Sequence, residues 1–184
     1  MSEYSQAIAA QCRVMACETK AVSVIELMDD LWRYALRTWR KPGVERASLC
    51  LQDDFSAPVS LLLMAGWLGE QKYPAQPALA TSLSEYARQW DTQKVMPLRA
   101  LRRAARRPQW SEWKRLLRDA ELEAERLVLA ELEQMVLAQP RAAEFGDTTR
   151  AWLLLLLPES ATCQEQAQHI DCLLYTSPSP RDRG

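Results

Sequence analysis

The chain has 184 residues, a formal net charge of −1, one histidine and five glycines, with 48% apolar and 26% charged residues. The length suits one domain, at most two small ones, and the mix is that of a folded globular protein, arguing against a disordered or collagen-like chain or a disulfide-dense secreted mini-protein. A chain this close to neutral is no generic polyanion binder, and so few Gly and His leave little for phosphate-cradling loops or His-based metal and acid–base sites.

Residues 1–27 form an N-terminal extension. They lack a basic stretch followed by an unbroken apolar core, so they are not a secretory signal. They read as a weak helix, or as upstream sequence with Met28 as the true start. Ser23-Val24-Ile25-Glu26 fits a capping box. From there Val24, Leu27, Met28, Leu31, Ala35 and Trp39 recur at helical spacing until Pro42-Gly43 ends the helix. A shorter helix is expected from Val44 to about Gln52, with Asp53-Asp54-Phe55-Ser56 as a turn. Val59 to Leu68 is apolar nearly all round, which marks the buried centre of a bundle, with Gly69 as its C-cap.

Leu79, Leu83, Tyr86, Ala87, Trp90, Leu98, Leu101 and Ala105 then hold one helical phase across Pro97. Lys94 is the only charged residue on that stripe. This predicts a single helix with a proline kink, stopped by Pro108. Ser111 opens a long helix to about Gln139, with Trp113, Leu116, Leu117, Ala120, Ala124, Leu127, Val128, Leu132, Met135 and Val136 as its apolar residues. A last helix runs from Asp147 or Thr148 to Leu157, where Pro158 closes it. No segment alternates with period two between turn signals. The expected fold is therefore all-α, a single-domain bundle of about six helices over residues 28–157.

Residues 158–171 read as a truncated C-terminal segment. Residues 172–184 read as an artefact, because Cys172 to Asp182 looks like one translated frame of a sequencing adapter. The remaining cysteines, Cys12, Cys17, Cys50 and Cys163, show no CxxC spacing and read as thiols in a reducing compartment. The longest apolar run, Ala151–Leu157, is seven residues, far below the roughly 20 of a membrane span. A cytoplasmic location and no membrane partner are expected.

The sharpest local feature is Pro97 to Arg107. Arg99, Arg102, Arg103, Arg106 and Arg107 fall within an arc of about 140° on a helix, with Leu98, Leu101, Ala104 and Ala105 on the other side. Residues 88–118 hold ten basic and two acidic side chains. Guanidinium forks suit carboxylates and phosphates. The face reads as a candidate partner-binding surface. Charge runs are most often solvated or internally matched, so the favoured reading is a solvated face, or one matched by Asp119, Glu121, Glu123, Glu125, Glu131 and Glu133. Gln52, Asp53 and Asp54 form a weaker polar-site candidate: two adjacent carboxylates could hold a cation or exchange protons, but neighbouring side chains point apart, and a helix-capping or turn role is the favoured reading. His169, the single histidine, builds no metal site. No nucleophile motif or phosphate-binding loop occurs, so no catalytic residue, metal ligand or cofactor is expected, and nothing positive supports an enzyme.

Leu31-Trp32, Pro42-Gly43-Val44-Glu45, Leu51-Gln52-Asp53, Leu61-Leu62-Leu63, Trp67-Leu68-Gly69 and Pro97-Leu98-Arg99-Ala100-Leu101-Arg102 together resemble an uncharacterised proteobacterial family, a domain of unknown function of about 150 residues. The likeness runs from about Met28 to Leu137. It implies an all-helical cytoplasmic bacterial protein and brings no activity. Family members often carry Asp and Asn just before the Leu-rich helix, where this chain has Pro58 and Ser60; the family start near Leu31-Trp32 supports Met28 as initiator. The functional expectation is a non-enzymatic helical interaction module whose arginine face meets an acidic protein partner. A nucleic-acid-associated factor using the same face is the alternative, and a small-molecule or enzymatic site near Gln52–Asp54 and Trp67 is the third reading.

Overall fold

The computed structural model describes residues 30–140 and 148–157, and every regular element among them is helical. Helix α1 is Asp30–Trp39; the start expected at Ser23 lies outside the described residues. Its heptad-like spacing buries Leu31, Trp32, Tyr34, Ala35, Leu36 and Trp39. Gly43 then takes φ 87°, a left-handed value open to a residue without Cβ, and the chain re-enters helix at once. Helix α2 is Val44–Phe55, three residues longer than expected. Asp53 and Asp54 therefore sit in its last turn rather than in a loop. The turn begins at Ser56, whose φ of 53° lets the N–H groups of Ser56 and Ala57 reach the carbonyls of Gln52 and Leu51 at 3.0 and 3.3 Å.

Helix α3, Val59–Glu70, is the buried centre that its composition demands: Leu61 to Leu68 have no exposed member. Pro58 stands just ahead of it and its carbonyl accepts the Leu61 N–H at 3.0 Å. Gly69 is not the cap. It lies inside the helix, where a Cβ would come within 1.8 Å of Thr149 Oγ1 and 2.8 Å of the Thr149 Cα. Its job is to let helix α7, Thr148–Leu156, lie directly on α3. Trp152, Leu153 and Leu156 of α7 are buried there, and the Trp152 indole N–H donates to the Tyr73 carbonyl at 2.9 Å, so the ring is buried with its one donor satisfied.

Helix α4, Pro77–Trp90, runs without a break through a π-helical turn, Asp91–Val95, into helix α5, Met96–Ala104. A 3₁₀ turn, Pro108–Trp110, leads to the long helix α6, Ser111–Leu137. Counting α4, the π turn and α5 as one interrupted helix, the described residues form six helices, as expected. Pro108 opens the 3₁₀ turn; the preceding helix has already ended at Ala104. One apolar core, drawn from α1 to α4, the C-terminal part of α6 and α7, surrounds α3. No described helix is long and apolar enough to cross a membrane.

The proline is absorbed by a change of helix type. Pro97 has no N–H to give, and its ring crowds the carbonyl four residues earlier. The turn before it is wound wider, and the Met96 N–H reaches the Asp91 carbonyl five residues back. An i→i+5 turn contains one residue more than an α turn, so everything downstream is rotated by one position. The expected stripe of Lys94, Leu98 and Leu101 is replaced by Val95, Arg99 and Arg102. Val95 is buried, Lys94 is exposed, and Leu101 is 51% exposed. The helical phase therefore does not survive the proline, and the side of α5 carrying Leu101 and Ala104 faces solvent; Leu98 is half-buried, and only Ala105, just past the helix end, is fully buried.

Candidate functional site

The rotation divides the arginine face in two. Arg99 and Arg102 turn inward onto α6, each side chain only 16% exposed. Arg99 donates from Nε to Glu121 Oε1 at 2.8 Å and from Nη2 to Glu125 Oε1 at 3.2 Å. Arg102 donates from Nε to Glu121 Oε2 at 2.5 Å and from Nη2 to Glu121 Oε1 at 3.4 Å. Glu121 is buried, so both its oxygens depend on these guanidiniums. Burial pulls the Arg99 guanidinium down, but the Glu121 hydrogen bond and the charges of Glu125, Glu121 and Asp91 outweigh it, and the net displacement is upward. Arg99 stays charged.

Arg103, Arg106 and Arg107 remain outside, all exposed. No ion pair joins any of the three to a carboxylate among the described residues. Arg106 Nε donates to the Arg103 carbonyl at 3.3 Å, and Arg107 lies over the Trp110 ring, 5.0 Å from its centroid. Beside them Trp110 and Trp113 are 41% and 50% exposed. Apart from exposed Glu131, the acids of α6 that might have matched this rim are engaged elsewhere. Asp119 pairs with Arg115 and Arg118, Glu112 with Arg115, and Glu123 with Arg126. Buried Glu133 accepts the Leu31 N–H at 3.3 Å.

The periodicity of α6 missed both buried glutamates. Leu117, Glu121, Ala124, Val128 and Leu132 lie along one face and are all buried, whereas Trp113, Leu116 and Leu127, expected inside, are exposed. A glutamate in helical phase with an apolar stripe is the sign that could have found them: a carboxylate there needs a buried donor.

Next to the buried ion pairs lies a partly open cavity of about 30 Å³, bounded by α1, the end of α2, the start of α3, the end of α4, the π turn and α6. Trp32, Trp39 and Trp90 supply its aromatic wall, and Gln52, Ser60, Asp91 and Glu125 its polar atoms. The Trp90 indole N–H is committed to the Ala124 carbonyl at 3.0 Å. Burial pushes the Asp91 carboxyl above the usual carboxylate range; Arg99 opposes that and Glu121 adds to it. Of the weak polar triad, Gln52 thus reaches a cavity. Asp53 is exposed and does not line it, and the Asp54 side chain lies outside the described set. Trp67 does not line it either; its indole N–H donates to Asp30 Oδ2 at 3.1 Å. No group of three or more His, Cys, Asp or Glu able to hold a metal ion occurs among the described residues.

No curated protein and no solved structure matches the chain. A family model does match, over residues 30–132, and covers α1 to α5, the split arginine face and the whole cavity wall, ending within α6. It accords with the all-helical fold and with the likeness carried by the Leu31-Trp32, Pro42–Glu45 and Pro97–Arg102 segments. The chain belongs to the family described as "Protein of unknown function (DUF2390)".

Proposed function

We propose that this protein is a non-catalytic helical interaction module that docks an acidic protein partner on Arg103, Arg106 and Arg107. The observation that carries this reading is the state of those three guanidiniums: exposed, without a carboxylate among the described residues, and adjoining two half-exposed tryptophans. Arg and Trp are the side chains over-represented where protein interfaces gain most of their binding energy. A planar fork pairs bidentately with carboxylates. Leu101 and Leu116 add exposed apolar surface nearby, which a protein can cover and a phosphate backbone cannot. Cys50, a free thiol, fits a reducing compartment, and the cytoplasm is the proposed setting.

The test is affinity capture with the full chain and with the triple variant Arg103→Glu, Arg106→Glu, Arg107→Glu, each with and without nuclease. A polypeptide retained after nuclease, lost by the triple variant at unchanged helicity and weakened by Trp113→Ser, is the expected result. Retention that disappears with nuclease and falls steeply with salt would replace this reading by the nucleic-acid one. Retention indifferent to the triple variant would remove both.

A further inference from the structure

We propose that the tryptophan-walled cavity beside the π turn binds the primary ammonium group of a small organic amine. This goes beyond the docking role and does not depend on it.

The buried cluster contains three carboxylates, Asp91, Glu121 and Glu125, against two guanidiniums, Arg99 and Arg102. Four of these five groups are joined in pairs. Asp91 is the fifth. It makes no hydrogen bond or ion pair with any described residue and senses Arg99 and Glu121 only through space. A carboxylate drawn partly out of water with no cation in hydrogen-bond contact is unfavourable, and a cation placed against it lowers that cost. Arg99 cannot turn to it without abandoning Glu121 and Glu125.

The wall selects the kind of cation. Indole rings attract cations through their quadrupole, most strongly where water is excluded, and Trp32, Trp39 and Trp90 surround this space. A hard metal ion needs several oxygen ligands, which the described carboxylates do not assemble. An ammonium has three N–H donors. The Asp91 carboxylate, the Gln52 amide oxygen and the Ser60 hydroxyl are acceptors of suitable chemistry on the same cavity. Hydrogen bonding narrows the class further. A terminal CH₂–NH₃⁺ can donate to those acceptors, whereas a quaternary ammonium has no N–H to give. The partly open side lets the rest of the amine lie outward.

Asp91 follows Ala87 of α4 by four residues and so shares its side of the helix, and the extra residue of the π turn carries Val95 onto the same lining; π turns recur at functional sites in helical proteins.

The experiment titrates the full chain with n-butylammonium at neutral pH and follows indole fluorescence and calorimetric heat. Parallel titrations use n-butanol, tetramethylammonium, magnesium chloride and potassium chloride. The expected result is a saturable response to n-butylammonium alone. Asp91→Asn should weaken it by about tenfold or more while the melting temperature holds or rises, because a neutral amide does not carry the unfavourable charge. An equal response in Asp91→Asn, an equal response to n-butanol, or a response to magnesium without one to the amine would each overturn the proposal.

Discussion

The two ends of this molecule are held together by different forces. Around α3 the contacts are apolar: Trp67 and Trp152 are fully buried, each with its indole N–H satisfied, and α7 lies so close that Gly69 has no room for a Cβ. At the α5–α6 end, α5 contains no fully buried residue. Its orientation is fixed by Arg99 and Arg102 on Glu121, and its neighbouring tryptophans, Trp110 and Trp113, stand in solvent. Burial of hydrocarbon is strong and undirected; a buried ion pair adds little net stability but is severely penalised when mismatched. The first end is therefore packed for stability, while at the second end a pairing rule decides which face looks outward.

Substitutions can break this contrast. Trp152→Ala should have the largest effect, a loss of about 3–5 kcal/mol from the cavity left behind, with the Tyr73 carbonyl losing its donor as well; urea unfolding measures it. Glu121→Ala strands two partly buried guanidiniums and should cost about 3 kcal/mol. Replacing the whole group instead, with Arg99→Met, Arg102→Met, Glu121→Leu and Glu125→Gln together, should return stability to within about 1 kcal/mol of the parent, because desolvation disappears along with attraction. If this fourfold replacement is as damaging as Glu121→Ala, the pairing rule is wrong. Gly69→Ala should cost about 1–3 kcal/mol, since Thr149 backbone must give way.

The smallest effect concerns pH. The folded state holds the Asp91 carboxyl above its ordinary range, chiefly by burial, so the folded state favours the proton. Its contribution to stability is present at acid pH, below the unfolded value, and is lost as pH rises through the folded value. Asp91→Asn should match the parent near pH 3 and exceed it slightly near pH 7, as read from melting temperatures at the two conditions.

Most of the fold was legible because it follows from period and punctuation. Val59 to Leu68 announces a buried helix, and Pro42-Gly43 announces a stop. The rotation of α5 was not legible in the same way. Leu98 and Leu101 are three apart, and so are Arg99 and Arg102; a helical period fits either stripe. The choice depends on Glu121, about twenty residues along the chain, and on how the backbone accommodates Pro97. One sign was present: Lys94 sat on the apolar stripe just before the proline, and a shift by one residue puts Val95 there instead. In the same way Gln52 could be noticed as polar from sequence, but its place on the cavity depends on α2 continuing past it to Phe55, against the turn-like look of Asp53-Asp54. The tryptophan wall joins α1 and α4 through tertiary packing that no local pattern encodes.

Adjacent arginines have opposite roles, and urea unfolding of Arg102→Gln beside Arg103→Gln tests this directly. Arg102→Gln should lose about 2–3 kcal/mol by leaving Glu121 short of a charged partner, and Arg103→Gln should stay within about 0.5 kcal/mol of the parent. Equal losses at the two positions, or a larger loss at Arg103, would contradict the division of the face.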